Sequence, residues 1–263
     1  GNAMMKDIQN QPDFRNIPID KVGIKGLKYP VVVRDKVNGS QSTVAEINMY
    51  VDLPHQCKGT HMSRFVELLH TVVKTLVSLE TLTSILEDMK ASLGAKSAHI
   101  EIVFPYFIEK TSPCTQSKGL MDYNCTIIGS SNGRKKADIV LKVAVPVTSV
   151  CPCSKEISEY GAHNQRGEVL VAARFHKFIW IEDIVNLVER AASSDIYSVL
   201  KRADEKYVTE KAYDNPKFVE DIVRDVAKAL IADSNITWFS VSAENFESIH
   251  NHSAYAYIEH SRD

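Results

Sequence analysis

The 263-residue chain has no run of about 18 apolar residues, so no membrane-spanning helix is expected. It shows no secretory signal. That absence predicts a reducing cytoplasm, where Cys57, Cys114, Cys125, Cys151 and Cys153 serve as thiols or ligands rather than as disulfide partners. A charge excess is missing too: 31 Lys and Arg stand against 33 Asp and Glu, for a formal net charge of −2. No global basic field favours nucleic acid or an anionic membrane, and any site for a polyanion must be local. No internal repeat is visible. What is there is an ordinary globular balance, 44% hydrophobic and 24% charged, long enough for one large domain or two small ones with a real core. Gly1-Asn2-Ala3-Met4 reads as a tag remnant and is set aside.

Residues 1–28 are polar and irregular, and predict an arm. Tyr29–Arg34 reads as a short strand. Val44–Leu53 alternates more clearly, with Ala45, Ile47, Met49, Val51 and Leu53 on one face. From Phe65 to about Leu93 the period is helical: Phe65, Leu68, Leu69, Val72, Val73, Leu76 and Leu79 mark one stripe, Ser63 is a candidate cap and Gly94 ends it. Strands are expected at His99–Pro105 and Asp122–Ile128, then a turn at Ser130–Arg134, then the alternating Asp138–Val147. In the second half the pattern gives a strand at Gly167–His176 and a helix at Ile181–Leu200. A helical stripe follows on Phe218, Ile222, Val226 and Leu230, with terminal strands at Ile236–Val241 and Ala254–Glu259. The order predicts an α+β chain of two halves, each an antiparallel sheet with helices on one face.

Four clusters carry chemistry. The polar segment Cys151-Pro-Cys153 to Gly167 follows a strand and reads as a loop. Thiolate and imidazole are ligands for a borderline metal such as zinc. A C-x-C spacing is tight for two ligands to one ion, so one Cys is expected on the metal and the other toward substrate. The same pattern also fits two small thiols in a loop. Glu244 to His252 comes just before the last strand. Its His250 and His252 are two apart and would share a face in extended backbone, suited to metal binding and proton transfer or to an exposed hairpin end. Lys201–Glu205 and Glu220 offer carboxylates, each of which fits a ligand or a solvated helix charge. Gly59 to Phe65 opens the first helix, and its Thr60, His61 and Arg64 suit either anion binding or plain capping. Lys155 and Arg166 are further anion candidates. Cys57, Cys114, Cys125, His70, His99 and His176 read as structural.

Taken together, G-T-H-M-S-R-F at 59–65, C-P-C-S-K-E-I-S at 151–158, Y-G-A-H-N-Q-R-G at 160–167, Lys201–Glu205 and E-S-I-H-N-H at 247–252 resemble GTP cyclohydrolase IB. The match runs in order from about residue 15 to the end. The resemblance implies two tandem tunnelling-fold units, here residues 29–149 and 150–263, and a homotetramer with active sites between subunits. It implies conversion of GTP and water to 7,8-dihydroneopterin triphosphate and formate, the entry to folate and to deazaguanine tRNA nucleosides. It also implies one divalent metal, zinc, manganese or iron, per site. Carried over residue by residue, Cys151, His163 and Glu205 would be metal ligands, with His250 a further ligand or acid/base. Cys153 would be the essential thiol and Glu220 the guanine anchor. Glu247 and His252 would support the ligands from behind or move protons, and Thr60, His61, Arg64, Lys155 and Arg166 would meet ribose or triphosphate. Two rivals remain. One is a tunnelling-fold deazaguanine nitrile reductase using NADPH, although no glycine-rich fingerprint is present. The other is a non-catalytic protein with a structural zinc, which should be closed by four protein ligands.

Overall fold

A computed structural model of the chain describes residues 5, 7–72, 75–133 and 136–262. Gly1 to Met4, Val73 of the expected helical stripe and Arg134 of the expected turn lie outside the described residues. Eight strands are described, and every pairing given by register, the first with the second, the second with the third, and the fifth through the eighth in turn, is antiparallel. Two compact units divide the chain, Gly1–Phe104 with Thr126–Val140 and Pro105–Cys125 with Leu141–Asp263.

In the first unit, β1 (Ile19–Asp35) pairs with β2 (Gly39–Leu53), and β2 with β3 (Ser97–Thr111). β1 begins inside the segment expected as an arm. The reason is backbone pairing rather than apolar content: Gly23 lies so close to Met49 that a Cβ there would fall 1.8 Å from the Met49 carbonyl oxygen. Gly26, at φ +76°, sits where the register shifts between Ile24 and Leu27. The alternation of β2 holds, with Ala45, Ile47, Met49 and Val51 buried.

The expected long helix is two, α1 (Ser63–Val72) and α2 (Leu79–Leu93). The break has a local cause. Leu76 bridges Val32 of β1, and Ser78 then starts a new helix by accepting from the Thr81 N–H while the Thr81 hydroxyl accepts from the Ser78 N–H. Gly94 ends α2 in the left-handed conformation at φ 61°, as its position suggests. Phe65, Leu86 and Met89 are buried. Each such side chain contributes roughly 1.5–3 kcal/mol relative to exposure.

In the second unit β5 (Asp138–Val150), β6 (Asn164–Phe175), β7 (Ile236–Asn245) and β8 (Ala254–Ser261) pair in turn. β6 and β7 start or end beyond their apolar cores, since their ends are polar but still paired. One face, with Val143, Val145, Val169, Val171, Phe239 and Val241, is buried. α4 (Ile181–Ala191) and α6 (Val219–Ile231) supply Ile184, Val188, Ile222 and Val226 to that core. α4 stops well before Leu200, because Ser193 and Ser194 serve β5 instead: the Ser193 hydroxyl accepts from the Val150 N–H, and Ser194 pairs with Thr148. Residues 105–125, from the ends of β3 and β4 (Lys118–Asn132), fall in this compact unit. Their Tyr106 and Lys110 bond to Glu182 and Glu189 of α4.

Two helices escape the hydrophobic pattern. α3 (Pro152–Ile157) replaces the expected loop, with Pro152 in its first turn. α5 (Arg202–Asp214) buries only Asp204 and Ala212. Asp204 is 0% exposed and accepts from the N–H groups of Cys114, Thr115 and Lys201 and from the Thr115 hydroxyl. Burial would raise its pKa, but those hydrogen bonds outweigh it and hold the carboxyl well below the usual range. Its stabilising contribution is therefore complete above the ordinary carboxylate range and lost only as pH falls through the lowered value. Asp204→Ala is expected to lower the urea midpoint at neutral pH, with the gap to wild type narrowing in acid. Equal midpoints at neutral pH would show the anchor to be idle.

Candidate active site

The site is built where β5 ends and β6 begins. The Cys151 N–H donates to the His163 carbonyl at 3.1 Å, extending the β5–β6 pairing past Val150 and Asn164 and fixing both residues side by side. Cys151 is half-buried and precedes α3, while Cys153 lies in its first turn and is exposed. The Ser154 hydroxyl donates to the Cys151 carbonyl and accepts from the His163 N–H, so the turn of α3 braces the strand ends. The two thiols thus differ in exposure, Cys151 half-buried and Cys153 exposed.

The imidazole of His163 is fixed from one side. Its Nδ1 lies 2.9 Å from Gln165 Oε1 and 4.0 Å from Glu247 Oε2. Gln165 in turn donates through Nε2 to Ser149 Oγ at 2.8 Å. Glu247 comes from the segment between β7 and β8, which is drawn in where the Phe246 N–H donates to the Arg166 carbonyl at 2.9 Å. Gly167 is required here: a Cβ would lie 2.6 Å from Asn245 Oδ1 and 3.1 Å from the Glu244 carbonyl oxygen. His250 and His252 lie in the same segment, exposed, with their rings stacked at 4.9 Å and 18°. They share a face, though through a bend rather than through extended backbone.

The structure brings Cys151, His163 and Glu247 to one end of the second unit. Glu205 sits in the first turn of α5 and Glu220 in the first turn of α6, both exposed. Among the described residues, no three His, Cys, Asp or Glu side chains form a group that could hold a metal ion. Lys155 is turned to α5, with Nζ 2.7 Å from the Tyr213 carbonyl and 4.4 Å from its ring centroid. Arg166 has an exposed side chain. In the first unit, Thr60, His61 and Arg64 line an open cleft with Gln9, Leu53 and Gly94. There His61 Nε2 is 3.4 Å from Asp7, and Arg64 donates to the Ser92 carbonyl at 2.7 Å.

Pattern reading missed Gln165, Ser149 and Asn245. All three are buried polar residues at the ends of apolar strands. The signal was present, since Gln165 is in phase with Val169 and Val171 on the core face of β6.

Compared with known proteins, residues 5–256 match the family model for type I GTP cyclohydrolase folE2. The chain belongs to that family. GTP cyclohydrolase FolE2 of Desulfosudis oleivorans is 64% identical over 254 residues, covering 97% of each chain. The protein of the same name from Syntrophobacter fumaroxidans is 60% identical over 258 residues, 98% of this chain and all of the relative. The chain is a GTP cyclohydrolase by that membership. Among solved structures, uricase from Arthrobacter globiformis superposes with a TM-score of 0.53 at 10% identity, over 93% of this chain and 94% of that one. Urate oxidase from Bacillus sp. TB-90 does so with 0.56 at 6%, over 93% and 100%. At such identities the likeness shows the fold alone, and that fold is the tunnelling fold expected for this GTP cyclohydrolase family.

No helix among the described residues is long and apolar enough to cross a membrane.

Proposed function

We propose that this GTP cyclohydrolase is metal-dependent and converts GTP and water to 7,8-dihydroneopterin triphosphate and formate, the first step toward folate and deazaguanine tRNA nucleosides. The observation that carries the metal part is the Cys151–His163 pair, locked together by backbone, with Nδ1 of the imidazole engaged and no hydrogen bond at Nε2 among the described residues. A thiolate and a neutral imidazole suit zinc and its borderline neighbours, and the donor chemistry fits one divalent ion. Glu205, exposed on α5, is the proposed third donor, with His250 as a further ligand or acid/base. Because no three donors gather within the described residues of one chain, we favour a homotetramer in which another copy helps complete the site.

The ion would supply Lewis acidity, bringing the ionisation of water toward neutral pH. The chain's own residues do the rest. Glu247, His250 and His252 are proposed to move the protons that imidazole-ring opening, formate release and ring reclosure demand. Cys153, exposed beside Cys151, faces substrate. Glu220 accepts from the guanine ring N–H and its exocyclic amine together. For the triphosphate, Arg166 offers an exposed cation in the second unit; Thr60, His61 and Arg64, at the start of α1, are separate candidates in the first. Lys155 would first have to leave Tyr213.

The test is incubation with GTP in Mn²⁺ or Zn²⁺, reading formate and the fluorescent pterin formed on oxidation. Both are expected, and both should vanish on chelation and return with metal. Metal-loaded protein that leaves GTP unchanged would overturn the reading.

A further inference from the structure

We propose that Gln165 is a positioning residue that holds the Nδ1–H tautomer of His163 and so presents a bare Nε2 to the site. The metal consequence rests on the function proposed above, whereas the tautomer stands on geometry alone. Gln165 is 7% exposed and lies on the core face of β6, where the alternation otherwise calls for an apolar side chain. Its amide is held at both ends. Oε1 lies 2.9 Å from His163 Nδ1, and Nε2 donates at 2.8 Å to Ser149 Oγ, which is 0% exposed and directly opposite Gln165 in the β5–β6 register.

A carbonyl oxygen can only accept, so the ring nitrogen facing it must carry the proton. Glu247 Oε2, 4.0 Å from the same nitrogen, favours a proton there as well. In the neutral ring, the hydrogen bond made by one imidazole nitrogen sets the state of the other, which leaves Nε2 as an unprotonated lone pair. An uncharged amide does this without placing a second anion beside the half-buried Glu247. The chain Ser149–Gln165–His163 therefore runs from the packed face of the sheet to the site, and fixes the ring's rotation together with its tautomer.

The experiment uses the full metal-free chain with ¹⁵N-labelled histidine imidazoles, the His163 signals being assigned by their loss in His163→Gln. Wild type is expected to show protonated Nδ1 and bare Nε2. Gln165→Met, close in size and unable to accept, should move the proton to Nε2 or mix the two tautomers. Gln165→Glu, which restores an acceptor, should return the proton to Nδ1. A wild-type tautomer in Gln165→Met overturns the proposal. Should that variant fail to fold, Ser149→Ala frees the far end of the amide and should mix the tautomers, and an unmixed signal there overturns the proposal equally.

Zn²⁺ affinity, read by competition with a chromophoric chelator, is expected to fall roughly 10–100-fold in Gln165→Met. Unchanged affinity would overturn the positioning role. If wild type takes up no Zn²⁺ while its tautomer is as stated, it is the metal reading of the site that fails.

Discussion

Cys151→Ala is expected to lose metal and turnover together, while Cys153→Ala keeps metal and loses turnover alone. The expectation follows from where the two thiols stand. Cys151 is half-buried with its N–H on the His163 carbonyl, so its side chain leaves the backbone at a fixed point beside the imidazole. Cys153 is exposed in the first turn of α3 and, among the described residues, has no such tie to His163. Removing a ligand should cost more than the roughly 10–100-fold in affinity that losing a supporting hydrogen bond costs. Removing a group that acts in proton transfer or contacts the reacting ring typically lowers the rate by about 10²–10⁴-fold. Metal content after dialysis and single-turnover formation of the pterin separate the two. Equal metal in both variants would sink the division of labour.

The largest stability effect is expected at Lys110. Its ammonium bonds Glu189, Asp195 Oδ2 at 3.0 Å and the Ile196 carbonyl at 3.0 Å, and lies 4.6 Å from the Tyr197 ring centroid. The Lys110 and Glu189 side chains are only 10% and 9% exposed. Lys110→Met leaves two carboxylates without that cation, and breaking a buried pair in this way costs about 3–5 kcal/mol. At about 2–4 °C per kcal/mol, the melting temperature should fall by roughly 6–20 °C.

The pH dependence has a sign. Burial raises the pKa of Glu189 despite Lys110, so its favourable contribution is complete below the ordinary carboxylate range and lost as pH rises through the raised value. Asp195 is the reverse: burial would raise it, but Lys110 and Lys211 draw it down, so its contribution is lost as pH falls. Without Lys110 both ionised forms are penalised. The melting gap between variant and wild type should thus be widest near neutral pH and shrink in acid. Coincident melting curves at neutral pH would show that the cluster contributes nothing.

How much of this was legible depended on whether a segment is held by apolar packing. β2 and β5 announce themselves, because Ala45, Val51, Val143 and Val145 alternate with exposed or half-buried neighbours. α6 does so through Ile222, Val226 and Leu230. The stripe through Phe65 and Leu69 continued in phase across Leu76, and nothing in its period revealed that Ser78 and Thr81 would begin a second helix. α5 was invisible because polar bonds rather than apolar packing hold it, those of Asp204 foremost. Asp204 sits beside Glu205 in what reads as a charge run, yet one is fully buried and the other exposed. In the site, Cys151 and His163 were nominated from the sequence, and they are neighbours across paired strands. The motif resemblance, not the spacing, joined Glu205 and Glu220 to them. Gln165 was passed over because an amide carries no chemistry of its own; its meaning comes from Nδ1 on one side and Ser149 on the other.

α5 is a strut fastened by polar bonds at both ends. Asp204 holds its start to Cys114 and Thr115, and Lys155 holds its last turn through the Tyr213 carbonyl, with Asn215 just beyond it donating to Ala192. Opening such an element exposes little apolar surface. Its release therefore carries a small heat-capacity change and a shallow response to denaturant, unlike the unfolding of the sheet behind it. Cooling or mild urea leaves the helix bearing Glu205 in place, and acid, which removes the charge on Asp204, is the condition that detaches it first.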